Sequence, residues 1–133
     1  MGLNFGTRST LHLDQCEPRL VLLAHEVLRV GMDFSVTASH RGKVAQQEAF
    51  HTGLSKVDWP NSLHNREPAQ AIHFVPYPID WKNLKRFYHL AGLVRAVAHG
   101  MELKIRWGGD WDKDFDLDDQ TFMDLAHYEL VGG

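Results

Sequence analysis

The chain has 133 residues, a mass of 15.2 kDa and a formal charge of −3, with 14 Lys and Arg against 17 Asp and Glu. That length supports one domain with a working core, and 44% apolar with 23% charged residues is an ordinary globular composition, so dominant disorder is excluded. The charge balance argues against a nucleic-acid partner held by a basic surface, the single Cys16 excludes a disulfide framework or a Cys-rich zinc module, and no apolar run is long enough for membrane insertion.

In chain order, the first expected helix covers about 17–30. Leu20, Leu23, Ala24, Val27 and Leu28 form one apolar stripe, with Pro18 near its start and Gly31 just past its end. Phe34, Val36 and Ala38 alternate with Ser35 and Thr37, which reads as a strand. A polar helix is expected at about 43–52, stopped by Gly53. Residues 54–69 hold Pro60, Asn61, Asn65 and Pro68 and no clear period, and they read as a long loop. AIHFV at 71–75 is a short strand ended by Pro76 and Pro78, with Ala71, His73 and Val75 on one face and Ile72 and Phe74 on the other.

The longest helix is expected at 81–99, capped by Asp80 and stopped by Gly100, with Leu84, Phe87, Tyr88, Ala91 and Val94 buried. Leu103, Ile105 and Trp107 alternate as a further strand, residues 107–120 form an acidic loop, and AHYEL at 126–130 closes the chain as a last strand. Asp110, Asp112, Asp114 and Asp116 alternate in that loop, but no register supplies both the glycine and the glutamate of an EF-hand, so a solvated loop is expected. Helices and antiparallel-compatible strands mix without βαβ regularity, so the fold class is α+β: a single small domain with a short antiparallel sheet and helices packed on it.

Nine histidines in so short a chain point toward a metal site without specifying one. His25, His89 and His99 lie in or beside expected helices, and His12, His40 and His51 read as surface residues. Three others differ. His64 sits in the long loop. His73 is the one polar residue inside an apolar strand, where it needs a partner; a backbone carbonyl or a metal would each serve. His127 follows Asp124 by three, a spacing at which a carboxylate can act as general base beside a metal ligand. Arg41, in an HRG segment at a strand end, reads on its own as a turn residue.

The segments SLHNREPAQAIHFVPYPIDW, IRWGGDW and DLAHYEL, in that order, resemble the M15 family of zinc peptidases, and within it the phage endolysins that are L-alanyl-D-glutamate peptidases. Upstream, HRGKVAQQEAFHTGLSK resembles the same subfamily's Arg, Gln five residues on, and G-x-S-K. The resemblance covers roughly residues 5 to 131, and its specificity lies in the combination rather than in any one piece.

This resemblance implies a Hedgehog/DD-peptidase-like fold and a Zn2+ ion held by His64, His73 and His127. Residue 73 is His where the family usually carries Asp, a change that removes one negative charge from the site and leaves a chemically sound three-His set. It further implies Asp124 as general base and acid, Arg41 as stabiliser of the developing oxyanion, and Gln46 and Ser62 as substrate-binding residues. The implied activity is hydrolysis of the L-Ala–D-Glu bond in the stem peptide of bacterial peptidoglycan, leading to host cell lysis. The expected alternatives are a D-Ala–D-Ala carboxypeptidase of the same family and a non-catalytic domain that binds wall peptides. A monomer is expected, with residues 1–133 as one catalytic domain and no separate wall-binding domain. The N-terminus lacks a charged start followed by an apolar stretch, so no signal peptide is expected; the protein would stay in the host cytoplasm until lysis and then act on the wall.

Overall fold

Secondary structure begins earlier than the periodicity indicates. In the computed structural model, which describes residues 2–116 and 123–132, a first helix α1 covers Thr7–Leu13. It buries only Ser9 and Leu13, so it has no apolar stripe to reveal it in the sequence. Tertiary contacts hold it instead: the Val36 amide donates to the Ser9 hydroxyl (2.9 Å) and the Ser39 hydroxyl donates to the His12 carbonyl (2.6 Å). The helix thereby covers a strand edge that would otherwise be open.

Helix α2 runs Pro18–Val30, and its five expected stripe residues are all buried. Glu17 caps it by accepting from the Arg19 amide (2.8 Å). Gly31 ends it at φ +116°, a left-handed conformation that L side chains resist. Strand β1 is Phe34–Ala38 and helix α3 is Lys43–His51. The long loop holds one 3-10 turn, Leu63–Asn65. Strand β2 is Ala71–Pro76. Helix α4 covers Leu84–Gly100, three residues later than expected, because Asp80 caps a separate turn through the Lys82 amide (3.1 Å). Its buried stripe is Phe87, Leu90, Ala91, Val94 and Ala98, while Leu84 and Tyr88 are exposed. Strand β3 is Ile105–Gly108 and β4 is Asp124–Leu130. The acidic loop is described as far as Asp116; residues 117–120 of that expectation lie outside the described residues.

The four strands form one antiparallel sheet in the order β1-β2-β4-β3. In the central pair Ile72 lies opposite Tyr128 and His73 opposite His127. Because side chains alternate across a strand, this register sorts the sheet into two faces. Ile72, Phe74, Trp107 and Tyr128 join the residues of α2 and α4 in one core cluster. His73, His127, Glu129 and Arg106 take the other face. No helix among the described residues is long and apolar enough to cross a membrane.

Candidate active site

Three imidazoles meet over the polar face of the sheet. The 3-10 turn delivers His64, held by a reciprocal cap: the His64 amide donates to the Ser62 hydroxyl (3.1 Å) and the Ser62 amide donates to Asn65 Oδ1 (3.1 Å). Strands β2 and β4 deliver His73 and His127 as a cross-strand pair. The facing nitrogens are His64 Nε2, His73 Nε2 and His127 Nδ1, separated by 3.1, 3.2 and 3.3 Å.

The outward nitrogens fix which inner ones carry lone pairs. His64 Nδ1–H donates to the Ser39 carbonyl (2.6 Å), which can only accept. His127 Nε2–H donates to Glu129 Oε1 (2.7 Å). Hence His64 Nε2 and His127 Nδ1 face each other as lone pairs and cannot hydrogen-bond to each other. Burial, then the neighbouring His127 and Arg41, lower the pKa of His64 from 6.5 to about 3. Burial and then His64 and His127 hold His73 well below its ordinary value. His64 and His73 are therefore held as neutral rings, and the three inner nitrogens crowd together. Two nitrogens on a tetrahedral zinc stand about 3.3 Å apart, so the set has the spacing and the chemistry that a zinc ion requires. The group could hold a metal.

Asp124 opens β4 beside this triangle. Its Oδ2 is 3.9 Å from His73 Nε2 and 4.0 Å from His127 Nδ1, close enough to share a small molecule with the site but outside the nitrogen set. Burial raises its pKa, and His127 and Arg41 oppose that rise. Its position depends on Gly108: a Cβ there would overlap the Asp124 carbonyl, so only glycine lets β3 approach so closely.

Arg41 lines the same cleft, which has a volume of about 720 Å³. Its amide donates to the His64 carbonyl (2.7 Å) and its Nη1 donates to Gln46 Oε1 (3.1 Å). Gln46 has no exposed atom and does not line the cleft. Its Nε2 donates to Ser55 Oγ (3.0 Å) and the Val57 carbonyl (2.7 Å), and its Oε1 also accepts from Asn65 Nδ2 (3.1 Å). Gln46 thus touches the cleft only through Arg41. Ser62 lines the cleft, and its hydroxyl is engaged in carrying His64.

Sequence reasoning passed over Glu129 and Asn65. The signal for Glu129 was available, since a residue two beyond His127 on a strand shares its face. For Asn65, which ties the His64 turn to Arg41 and Gln46, no sequence pattern stood out. Trp111 also lines the cleft, its ring 5.2 Å from that of His127. The acidic loop is less solvated than expected: Asp110 is fully buried. Burial alone would raise its carboxyl, but Arg95 (2.9 Å) and the Phe115 amide (2.9 Å) outweigh it and hold it below the ordinary range.

Comparison with known proteins bears on the same arrangement. The chain is 28% identical over 138 residues to the L-alanyl-D-glutamate peptidase of Escherichia phage T5, an alignment covering 98% of this chain and 100% of that one. Its structure is similar to that of the Serratia marcescens L-Ala D-Glu endopeptidase ChiX, with a TM-score of 0.77 and 25% identity over 98% of this chain and 91% of the other. The sequence profile described as phage L-alanyl-D-glutamate peptidase matches residues 1–131, and on that near-complete match the chain belongs to the phage L-alanyl-D-glutamate peptidase family.

Proposed function

We propose that this chain is a zinc-dependent endolysin that hydrolyses the L-Ala–D-Glu bond of the peptidoglycan stem peptide, working as a single catalytic domain over residues 1–133. The observation that carries the metal-dependent reading is the convergence of three imidazole nitrogens within 3.1–3.3 Å, two of them facing one another as lone pairs. His64, His73 and His127 would hold the ion. When bound, zinc supplies Lewis acidity toward a peptide carbonyl and toward water.

The remaining chemistry belongs to the chain's own side chains. Asp124 takes a proton from the attacking water and returns it to the leaving amine, a role suited to a partly buried carboxylate whose pKa is raised. The guanidinium of Arg41 stabilises negative charge as it develops on the scissile oxygen. Gln46 holds that guanidinium in place, and Ser62 holds the turn that carries His64. Glu129 keeps the His127 ring in the tautomer that leaves Nδ1 free to bind. The protein acts on the wall of the infected cell after leaving the host cytoplasm, as a monomer on a peptide substrate.

Metal analysis of the purified protein, together with mass spectrometry of products from a defined muropeptide, tests this reading. One zinc per chain and new termini at L-Ala and D-Glu are expected, with activity abolished by a chelator. Release of terminal D-Ala would instead indicate a carboxypeptidase. Binding of the muropeptide without any cleavage would indicate a non-catalytic module.

A further inference from the structure

The sheet register places one more charged residue on the catalytic face. Arg106 on β3 lies opposite Glu129 on β4, two residues along from the His127–His73 pair. Its Nε (3.2 Å) and Nη2 (2.7 Å) both donate to Glu129 Oε2, so the plane of the guanidinium is fixed. Its Nη1 has no hydrogen bond among the described residues. The side chain is 41% exposed and lines the same cleft as the three histidines. A guanidinium held rigidly by one carboxylate, with a donor edge turned to a cleft, is prepared to receive a second carboxylate.

The substrate supplies one. In an L-Ala–D-Glu bond the nitrogen belongs to glutamate, which carries two further carboxyl groups. Continuing the peptide consumes at most one of them. The other remains a free anion within a few bonds of the cut, on the leaving side. Other cations in the cleft are less suited to it. Arg41 is half-buried, with Nη1 committed to Gln46. Lys56 is a point charge on a flexible stem in the loop after α3.

We propose that Arg106 is a specificity-determining residue that binds the free carboxylate of the substrate glutamate and aligns the scissile bond over the metal site. This rests on the L-Ala–D-Glu reading above. Glu129 then has two neighbours, His127 on Oε1 and Arg106 on Oε2, so the residue that orients a metal ligand also orients the substrate clamp.

The test compares two synthetic peptides that differ only in whether that side carboxyl is free or converted to the carboxamide. The readout is the ratio of their kcat/KM values within each variant, in which losses of metal or folded fraction cancel. The wild-type protein should prefer the free carboxylate by roughly ten- to a hundred-fold, the size of one hydrogen bond to a charged group. Arg106→Gln should bring the ratio close to one, and Arg106→Lys should restore part of it. Three results would overturn the proposal: no preference in the wild-type protein, a ratio unchanged in Arg106→Gln with both rates lowered equally, or a ratio lost in Lys56→Gln but kept in Arg106→Gln. The second would make Arg106 only a structural partner of Glu129. Cleavage of neither peptide by the wild-type protein would overturn the L-Ala–D-Glu reading and this proposal together, whereas cleavage without discrimination overturns this proposal alone.

Discussion

Strands β2 and β4 carry two faces that differ completely in what they demand of their surroundings. On one, Ile72, Phe74 and Tyr128 have no exposed surface and pack into the main core. On the other, one residue along each strand, His73, His127 and Glu129 look into a cleft of about 720 Å³. The apolar face gains by being covered, and neighbours of about the right volume satisfy it. The polar face gains only if each nitrogen and oxygen finds a specific partner, and His64 Nε2 and His127 Nδ1 face one another as lone pairs that cannot bond to each other. Alternation therefore lets one stretch of β2 serve the core through Ile72 and Phe74 and the cleft through His73.

That contrast can be broken most severely at the ligands. His64→Ala and His127→Ala should each lose zinc and activity while staying folded, because a three-ligand site has no spare. Phe74→Ala, on the other face, should cost about 3–5 kcal/mol of stability through the cavity it leaves. Metal analysis alongside thermal unfolding separates the two outcomes, and stoichiometric zinc in either His variant would remove that residue from the set. For His73 the contrast sharpens further. His73→Ala should lose the metal, and His73→Asp, which installs the side chain that the family usually uses, should keep it.

Asp124→Asn comes next. It should retain zinc and the fold while turnover drops by roughly a hundred- to ten-thousand-fold, the usual share of a general acid–base group. Near-normal turnover would exclude Asp124 from proton transfer. Gly108→Ala tests the same carboxylate indirectly: the added Cβ must push against the Asp124 backbone. Turnover should fall and stability should drop by about 1–3 kcal/mol, with zinc still bound. Unchanged kinetics would show that the cleft tolerates a shift of Asp124.

Acidity should act through the polar face. His64 has a folded pKa of about 3 against 6.5 when exposed, so below pH 6.5 the unfolded ring takes a proton that the folded ring refuses. The metal-free protein should therefore lose stability progressively as pH falls from 6.5 toward 3. Melting temperatures measured across that range should fall less steeply in His64→Gln. An identical slope in both proteins would mean that the ring is not protected from protonation. The smallest effect is expected on the apolar face. The Tyr128 hydroxyl is buried and has no hydrogen-bond partner among the described residues. Tyr128→Phe should leave stability unchanged or raise it by up to about 1 kcal/mol, since no bond is lost and an uncompensated polar group is removed. A clear loss of stability would reveal a partner for that hydroxyl.

Much of this was legible in the residues, for reasons that differ by element. The stripe of α2 and the alternation of β1 and β2 are local consequences of burying one face, and both occur where expected. Helix α1 was not legible, because it is held by Ser9 and His12 bonding to a distant strand rather than by a stripe of its own. The start of α4 was misplaced because Asp80, a good cap by type, caps a turn instead. Leu84 and Tyr88 were then expected in the core on a stripe that the helix rotates toward solvent.

By itself the sequence determined the α+β class, the two faces of β2 and the family, because these depend on residue types at short spacings and on motifs in a fixed order. Only the tertiary structure decided how the site is assembled. His73 and His127 are 54 residues apart in the chain, and it is the register of β2 against β4 that sets their rings side by side. The same register, carried one strand further, brings Glu129 and Arg106 into the cleft. Helix α3 sets Gln46 behind Arg41 rather than on the wall of the site, and a fully buried amide can serve a substrate only through the group it holds.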